Sequence, residues 1–389
     1  MGRTQEGDRR WAIERFLRGE SPSVICVSMG YSRQWFYKWL HRHTSGAAQW
    51  QLDLSRRPHR SPRQSGSESG GIVRALRLGL EQEGVFCGAQ AIRWEMEARG
   101  INPLPSVRTI SRILVRQELT RRRVGRYQPK GKRYPALAAR RPGAVHQSDF
   151  VGPCYLQGPL RFYSLNSVDL ATSRCAVQPM RSRCAQTTIE AFWSSWGRLG
   201  LPQHQQVDNE LVFYGSPVHP RGMGSLIRLC LAQGIEVWFI PPGEPWRNGV
   251  VEKFNDHWRQ KLLGRVRMKA LEDLQRESVI FEQKHNGRYR YSKLGGKTPT
   301  AALAASAEKL RFPDSPTPPR HPLPRPRTGR YHLVRFVRSD GLLDVFGEKF
   351  KTPPEATYEY VQATIEVQPQ RLQIRLDGTL IDEHRYQLR

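Results

Sequence analysis

The tightest constraint on how this chain can fold lies in residues 241–258, PPGEPWRNGVVEKFNDHW. Prolines and a glycine end a β-type run at 235–240. Val251, Phe254, Trp258 and Leu262 then recur at steps of three and four. That spacing predicts one buried helical stripe, so a strand must turn sharply into a packed helix. Glu252 falls at the edge of the stripe, with Asn248 and Asp256 one turn to either side. A carboxylate at the border of a packed helix is held rigidly, as a metal ligand must be. Taken alone, it reads more simply as a solvated helix acid.

Charge narrows the choice of partner. The 389 residues carry 62 Lys and Arg against 35 Asp and Glu, a formal charge of +27. The first 143 residues hold 28 basic and 11 acidic side chains. Such an excess points to a polyanion. No apolar run approaches the roughly 18 residues of a spanning helix, and the N-terminus lacks a secretion signal's apolar core. Nucleic acid is therefore the expected partner, not a membrane. The six cysteines are scattered without a CxxC pair, so a structural zinc site is not expected and the thiols read as reduced. The expected location is the cytoplasm, on the nucleoid when DNA is bound.

The chain divides by composition. Residues 1–55 read as a first helix-turn-helix unit, in which Ser21-Pro22 and Ser32 are helix starts. Its third helix would present Arg33, Gln34, Tyr37 and Lys38 to a DNA groove. Residues 56–71 read as a flexible basic linker. Residues 72–119 form a second helix-turn-helix candidate, with Arg108 and Arg112 on the outer side of a helix that Ser106 caps. Residues 120–141 form a basic linker suited to tracking phosphates. From 142 to 305 strands alternate with helices, which indicates an α/β domain with a mixed sheet. A proline-rich linker at 306–328 leads to a small all-β, barrel-like domain at 329–389, whose turns include Asp340-Gly341 and Asp377-Gly378.

Within the α/β region two further acids fall where strands run or end. Asp149 lies inside HQSDFVGP and Asp208 inside VDNE. Asp149, Asp208 and Glu252 could converge on Mg²⁺, a hard cation that prefers oxygen ligands. These two motifs and PPGEPWRNGVVEKFND together resemble the integrase-type DDE transposases of bacterial insertion sequences, over roughly residues 142–305. The frame Pro245, Asn248, Gly249, Glu252 is the most specific part. The flanking helix-turn-helix units and β module match that family's architecture.

The resemblance implies a ribonuclease-H-like catalytic core in which Asp149, Asp208 and Glu252 are the catalytic and metal-binding triad. It further implies two Mg²⁺ ions, with Mn²⁺ able to substitute, and Asn248, Lys253 and Arg259 as DNA contacts. The implied activity is cleavage and strand transfer of an insertion sequence. The partners are double-stranded element ends and target DNA, bound by a homo-oligomer without a nucleotide cofactor. The alternative is a decayed or domesticated relative that only binds DNA. Two departures stand out. Val207 and Glu210 occupy places where the family usually has Ser and Gly. The 43 residues between Asp208 and Glu252 also exceed the family's spacing. Glu244 sits at the shorter spacing, but in the Pro-Gly loop. Glu252 is preferred, with the excess assigned to an inserted loop at 214–223.

Overall fold

The computed structural model describes residues 5–46, 48–54, 67–120, 133–216, 218–219 and 221–389. The chain forms two compact units, residues 1–66 and 67–389. The expected linker at 56–71 lies largely outside the described residues, and so does the first half of the one at 120–141.

The first unit holds three helices, α1 (Gln5–Leu17), α2 (Pro22–Met29) and α3 (Arg33–Thr44). Ile13, Ile25, Cys26 and Phe36 form its core. The tight turns follow from local chemistry. Gly30 ends α2 in the left-handed region at φ 72°, where a Cβ would be strained. Ser32 then accepts from the Trp35 amide at 3.1 Å and starts α3. Ser21 was expected to cap α2 in the same way. It occupies that position, but its side chain accepts no capping bond, and Pro22 at the first turn removes one donor.

In the second unit, α4 (Ser67–Glu83) begins inside the expected linker, with Glu68 in its first turn favouring the helix dipole. It packs with α5 (Ala89–Ala98) and α6 (Val107–Arg116) around Val73, Ile92 and Ile110. Ser106 caps α6 as anticipated, accepting from Thr109 at 3.1 Å.

A sheet then starts with β1 (Val145–Tyr155), β2 (Arg161–Asp169) and β3 (Cys175–Met180), and the long helix α7 (Ala185–Leu199) follows. Next come β4 (His204–Val207), the single turn α8 (Leu211–Tyr214), α9 (Ser225–Ala232) and β5 (Glu236–Phe239). The expected inserted loop takes shape between α8 and α9. Gly224 amide donates to the Tyr214 carbonyl at 3.0 Å. A Cβ on Gly224 would lie 2.4 Å from Tyr214 backbone, so only glycine closes this neck. Helices α10 (Gly249–Trp258), α11 (Leu271–Arg288) and α12 (Pro299–Ala304) complete the α/β part. Between α10 and α11 the helical course is interrupted. A π-type turn spans Arg259–Leu263, and Gly264 ends it.

The remaining strands are β6 (Arg330–Phe336), β7 (Leu342–Val345), β8 (Glu348–Lys351), β9 (Tyr360–Glu366), β10 (Arg371–Leu376) and β11 (Thr379–Arg385). The sheet order is β11-β10-β9-β6-β5-β4-β1-β2-β3, with β7 and β8 as a separate hairpin. The first three strands are antiparallel, and β1, β4 and β5 run parallel. This is the ribonuclease-H-like arrangement. β6 then joins β5 in parallel, pairing Tyr331 with Val237 and Leu333 with Phe239. The strand-rich C-terminal region therefore continues the central sheet, and a single apolar core runs from Phe192 and Ile227 to Ile365 and Ile374. Across this seam Glu236 receives Arg330 at 2.6 Å and His332 at 2.9 Å. Burial alone would raise the Glu236 carboxyl. Hydrogen bonds from His204, His332 and Arg330 hold it well below the usual carboxylate range.

Two buried histidines make the fold acid-sensitive. Burial pushes His146 and His285 down to about 4. Their folded values lie below the unfolded one, so their stabilisation is complete above the ordinary imidazole range near pH 6.5 and is lost as pH falls towards 4. Among the described residues His146 has no hydrogen-bond partner for either ring nitrogen. Urea unfolding of the wild type and His146→Leu across this window should show the wild-type stability falling more steeply, by up to about 1.4 kcal/mol per pH unit. Parallel profiles would refute the assignment.

Candidate active site

Helix α10 is fastened to the centre of the sheet at both ends. At its start, Gln147 of β1 accepts from the Val250 and Val251 amides, each at 3.2 Å. These are first-turn N–H groups with no partner inside the helix. Gln147 and Gln206 both donate to the Arg247 carbonyl, at 3.3 and 3.0 Å. Asn248 donates to the Ser148 carbonyl at 3.1 Å and accepts from Gln206 at 3.3 Å. The expectation that Asn248 contacts DNA is thereby corrected. It is 2% exposed, and both ends of its amide tie the helix start to β1 and β4.

The apolar stripe forms as the spacing requires. Val251, Phe254, Trp258 and Leu262 are all buried against Val151, Phe162, Val168 and Leu274. The Trp258 and Phe162 rings meet edge to face at 6.5 Å. Glu252 stays half-buried at the border of this stripe.

Asp149 sits in β1 opposite Asn166 of β2. A relay of amides holds it: Ser164 donates to Asn166 at 2.7 Å, Asn166 to Asn255 at 2.8 Å, and Asn255 to Asp149 Oδ2 at 2.8 Å. Asn255 is on α10, three residues after Glu252, so one helix carries both an acid and the group that orients another. Sequence reasoning missed Asn166, Asn255 and Gln147. Gln147 shares a strand face with Asp149 at a spacing of two, which was a readable signal. The partners of Asn255 come from two strands, 89 and 106 residues away, and had no local signature.

Asp208 directly follows β4, and its Oδ1 accepts from the Glu210 amide at 3.1 Å. Glu210 is paired with Arg183 at 2.7 Å, and the Arg183 guanidinium lies 4.9 Å from the Tyr163 ring centre. The extra negative charge that Glu210 brings is thus compensated locally. The rival acid Glu244 points elsewhere, to Arg247 at 2.9 Å and the Tyr360 hydroxyl at 2.5 Å.

The carboxylates act on one another. Burial, then the charges of Asp208, Glu210 and Glu252, push Asp149 up to about 7. Glu252 is raised by burial, Asp256 and Asp208, and Asp208 by burial. Mutual repulsion of buried oxygens is the environment that a hard divalent cation relieves, and an all-oxygen donor set suits Mg²⁺. Among the described residues no group of three His, Cys, Asp or Glu side chains is gathered closely enough to hold an ion.

The expected DNA-facing residues divide as follows. Arg33, Gln34, Tyr37 and Lys38 are exposed on α3, with Arg33 donating to Ser23 of α2. Arg108 and Arg112 are exposed on α6, Lys253 is exposed on α10, and Arg259 is exposed at its end. Lys253 lies 3.4 Å from Asp256.

Residues 10–68 match the winged helix-turn helix family, and residues 233–299 match the integrase core domain family. Among solved structures the chain is similar to the HTLV-2 integrase catalytic core domain in complex with magnesium. That match has 19% identity, 42% of this chain, 97% of that one and a TM-score of 0.33. It is also similar to a chain of a simian T-cell lymphotropic virus intasome in complex with PP2A regulatory subunit B56 gamma. There the identity is 14%, the coverage 82% and 97%, and the TM-score 0.36. At such TM-scores the fold assignment rests on the strand order and the two family matches. The chain combines a helix-turn-helix unit with an integrase core of ribonuclease-H-like fold. Together the two matches indicate a protein of the transposase or integrase class.

The Asn255 relay is testable by stability alone. Asn255→Leu leaves buried polar groups of Asn166 and Asp149 unpaired and should cost about 1–3 kcal/mol in urea unfolding. A neutral result would show that the relay contributes nothing.

Proposed function

We propose that the protein is the DNA transposase of an insertion sequence, and that it cleaves and joins DNA strands with Asp149, Asp208 and Glu252 as its metal-binding triad. The observation that carries this reading is the integrase-core match over residues 233–299, which holds Glu252 on α10, with Asp149 on β1 and Asp208 at the end of β4 in the same sheet. Bound there, Mg²⁺ would supply Lewis-acid activation of an attacking oxygen and charge stabilisation of the leaving one in an in-line displacement at phosphorus.

The chain's own residues do the rest. Asn255 fixes the direction of Asp149. Arg183 offsets the charge of Glu210, so that a phosphodiester meets less repulsion. Lys253 and Arg259 follow Glu252 along and just past the helix and would hold DNA phosphates. Arg33, Gln34, Tyr37 and Lys38 would read the element's terminal repeats, with Arg108 and Arg112 adding phosphate contacts. Two element ends must be held together for joining, so the working form is a homo-oligomer on DNA. A DNA-binding role without chemistry is the second reading, and the absence of a gathered three-ligand group among the described residues is the observation on its side.

A strand-transfer assay with DNA from the ends flanking the gene separates the two. Wild-type protein with Mg²⁺ or Mn²⁺ should yield joined products. Asp149→Asn, Asp208→Asn and Glu252→Gln should each lower joining at least about a hundredfold while end binding persists. Tight end binding without joined products at any metal concentration would leave only the DNA-binding role. For recognition, Arg33→Ala with Lys38→Ala should weaken end binding. If both touch phosphates, the salt slope measured by fluorescence anisotropy should fall by about two.

A further inference from the structure

The C-terminal strands send one charged side chain into the interior. Arg335 of β6 is 4% exposed. Its Nε donates to the Asp344 carbonyl at 3.0 Å. Nη1 donates to the carbonyls of Val334 at 2.9 Å and Ile240 at 3.3 Å, and Nη2 donates to Asn209 Oδ1 at 2.9 Å. A buried guanidinium is tolerated only where its hydrogens find acceptors, and here every acceptor named is a neutral oxygen. Burial lowers its pKa to about 10, so it remains a cation at neutral pH.

The Asn209 contact reaches the site. Asn209 is the residue after Asp208, and its own amide donates to the Ile240 carbonyl at 2.5 Å. Both ends of the Asn209 side chain are therefore occupied, one by the residue after β5 and the other by β6. Ile240 accepts from Asn209 and Arg335 alike, so the three residues close a small triangle. On its other side the turn is held by the Glu210 amide donating to Asp208 Oδ1.

We infer that Arg335 is a positioning residue for Asp208: by gripping Asn209 it sets the direction in which the Asp208 carboxylate enters the site, which makes the C-terminal strands part of the catalytic apparatus. The inference rests on the reading of Asp208 as a metal ligand. A purely structural Arg335 would tie β6 to the core and leave the ligand set untouched.

The test uses the full chain and Mn²⁺ as the probe, with titration calorimetry at a temperature where circular dichroism reports every variant folded. Arg335→Met and Asn209→Ser should each weaken Mn²⁺ binding about tenfold or more. Arg335→Lys keeps the charge but loses the planar fork, and should behave like Arg335→Met. The double variant Arg335→Met with Asn209→Ser should be no weaker than the poorer single one, because both break one connection. End-DNA affinity should stay within about twofold, since Arg335 lies outside the helix-turn-helix contacts. Variants that lose thermal stability but bind Mn²⁺ as the wild type does would overturn the inference alone. If Arg335→Met fails to fold, Asn209→Ser decides the matter by itself. A wild type that binds no Mn²⁺ would overturn the metal-ligand reading, and this inference with it.

Discussion

The attachment of α10 to β1 is the interaction on which the rest of the site depends. Gln147 occupies the free amides at the start of the helix, and Asn248 reaches the Ser148 carbonyl. Asn255 grips Asp149, with the Trp258 stripe sealed beneath. Each polar contact contributes about 1 kcal/mol on its own, but each would cost more if broken, because its partner would be left buried and unpaired. Apolar burial supplies most of the energy and the amides supply the register. A slip of α10 by one residue would bury Glu252 and expose a valine, while Gln147 and Asn255 would both lose their partners.

The C-terminal strands meet a second constraint. A ribonuclease-H-like sheet ending at β5 would leave an open parallel edge, which is a template for pairing with another chain. β6 covers that edge and continues the core into β9, β10 and β11. The seam is reinforced by Glu236 with Arg330 and His332, and by Arg335 at its far end. Glu244 is drawn into the same seam through Arg247 and Tyr360. The helices α4–α6 are similarly tied in, with the Tyr289 hydroxyl donating to the Gly84 carbonyl at 2.6 Å and Trp94 lying against Gly296.

Electrostatically the site opposes folding. Asp149 shows it most: burial and the charges of Asp208, Glu210 and Glu252 all raise its carboxyl. Stability elsewhere in the core offsets that cost, as functional sites commonly require. Arg183 compensates in part: it pairs with Glu210, and its charge also favours the ionised form of Asp208.

Local patterning in the sequence determined a good deal. The α10 stripe, the Ser32 and Ser106 caps, the alternation of strands and helices, and the glycine-closed loop after Tyr214 all depend on neighbours a few residues apart. Asp149, Asp208 and Glu252 could be singled out because each stands in a short motif at a strand or helix boundary. The tertiary structure alone decided what lies across long separations. It buried Asn248, which the motif suggested would face DNA, and it chose Asn255 and Asn166 as the supports of Asp149. It also ran β6 alongside β5, where the local pattern of short strands suggested closure among themselves. The physical reason is the same in each case. A polar side chain's role depends on which acceptor the folded backbone brings within 3 Å, and an edge strand's partner depends on which edge is left open. Neither is recorded in the residues immediately around it.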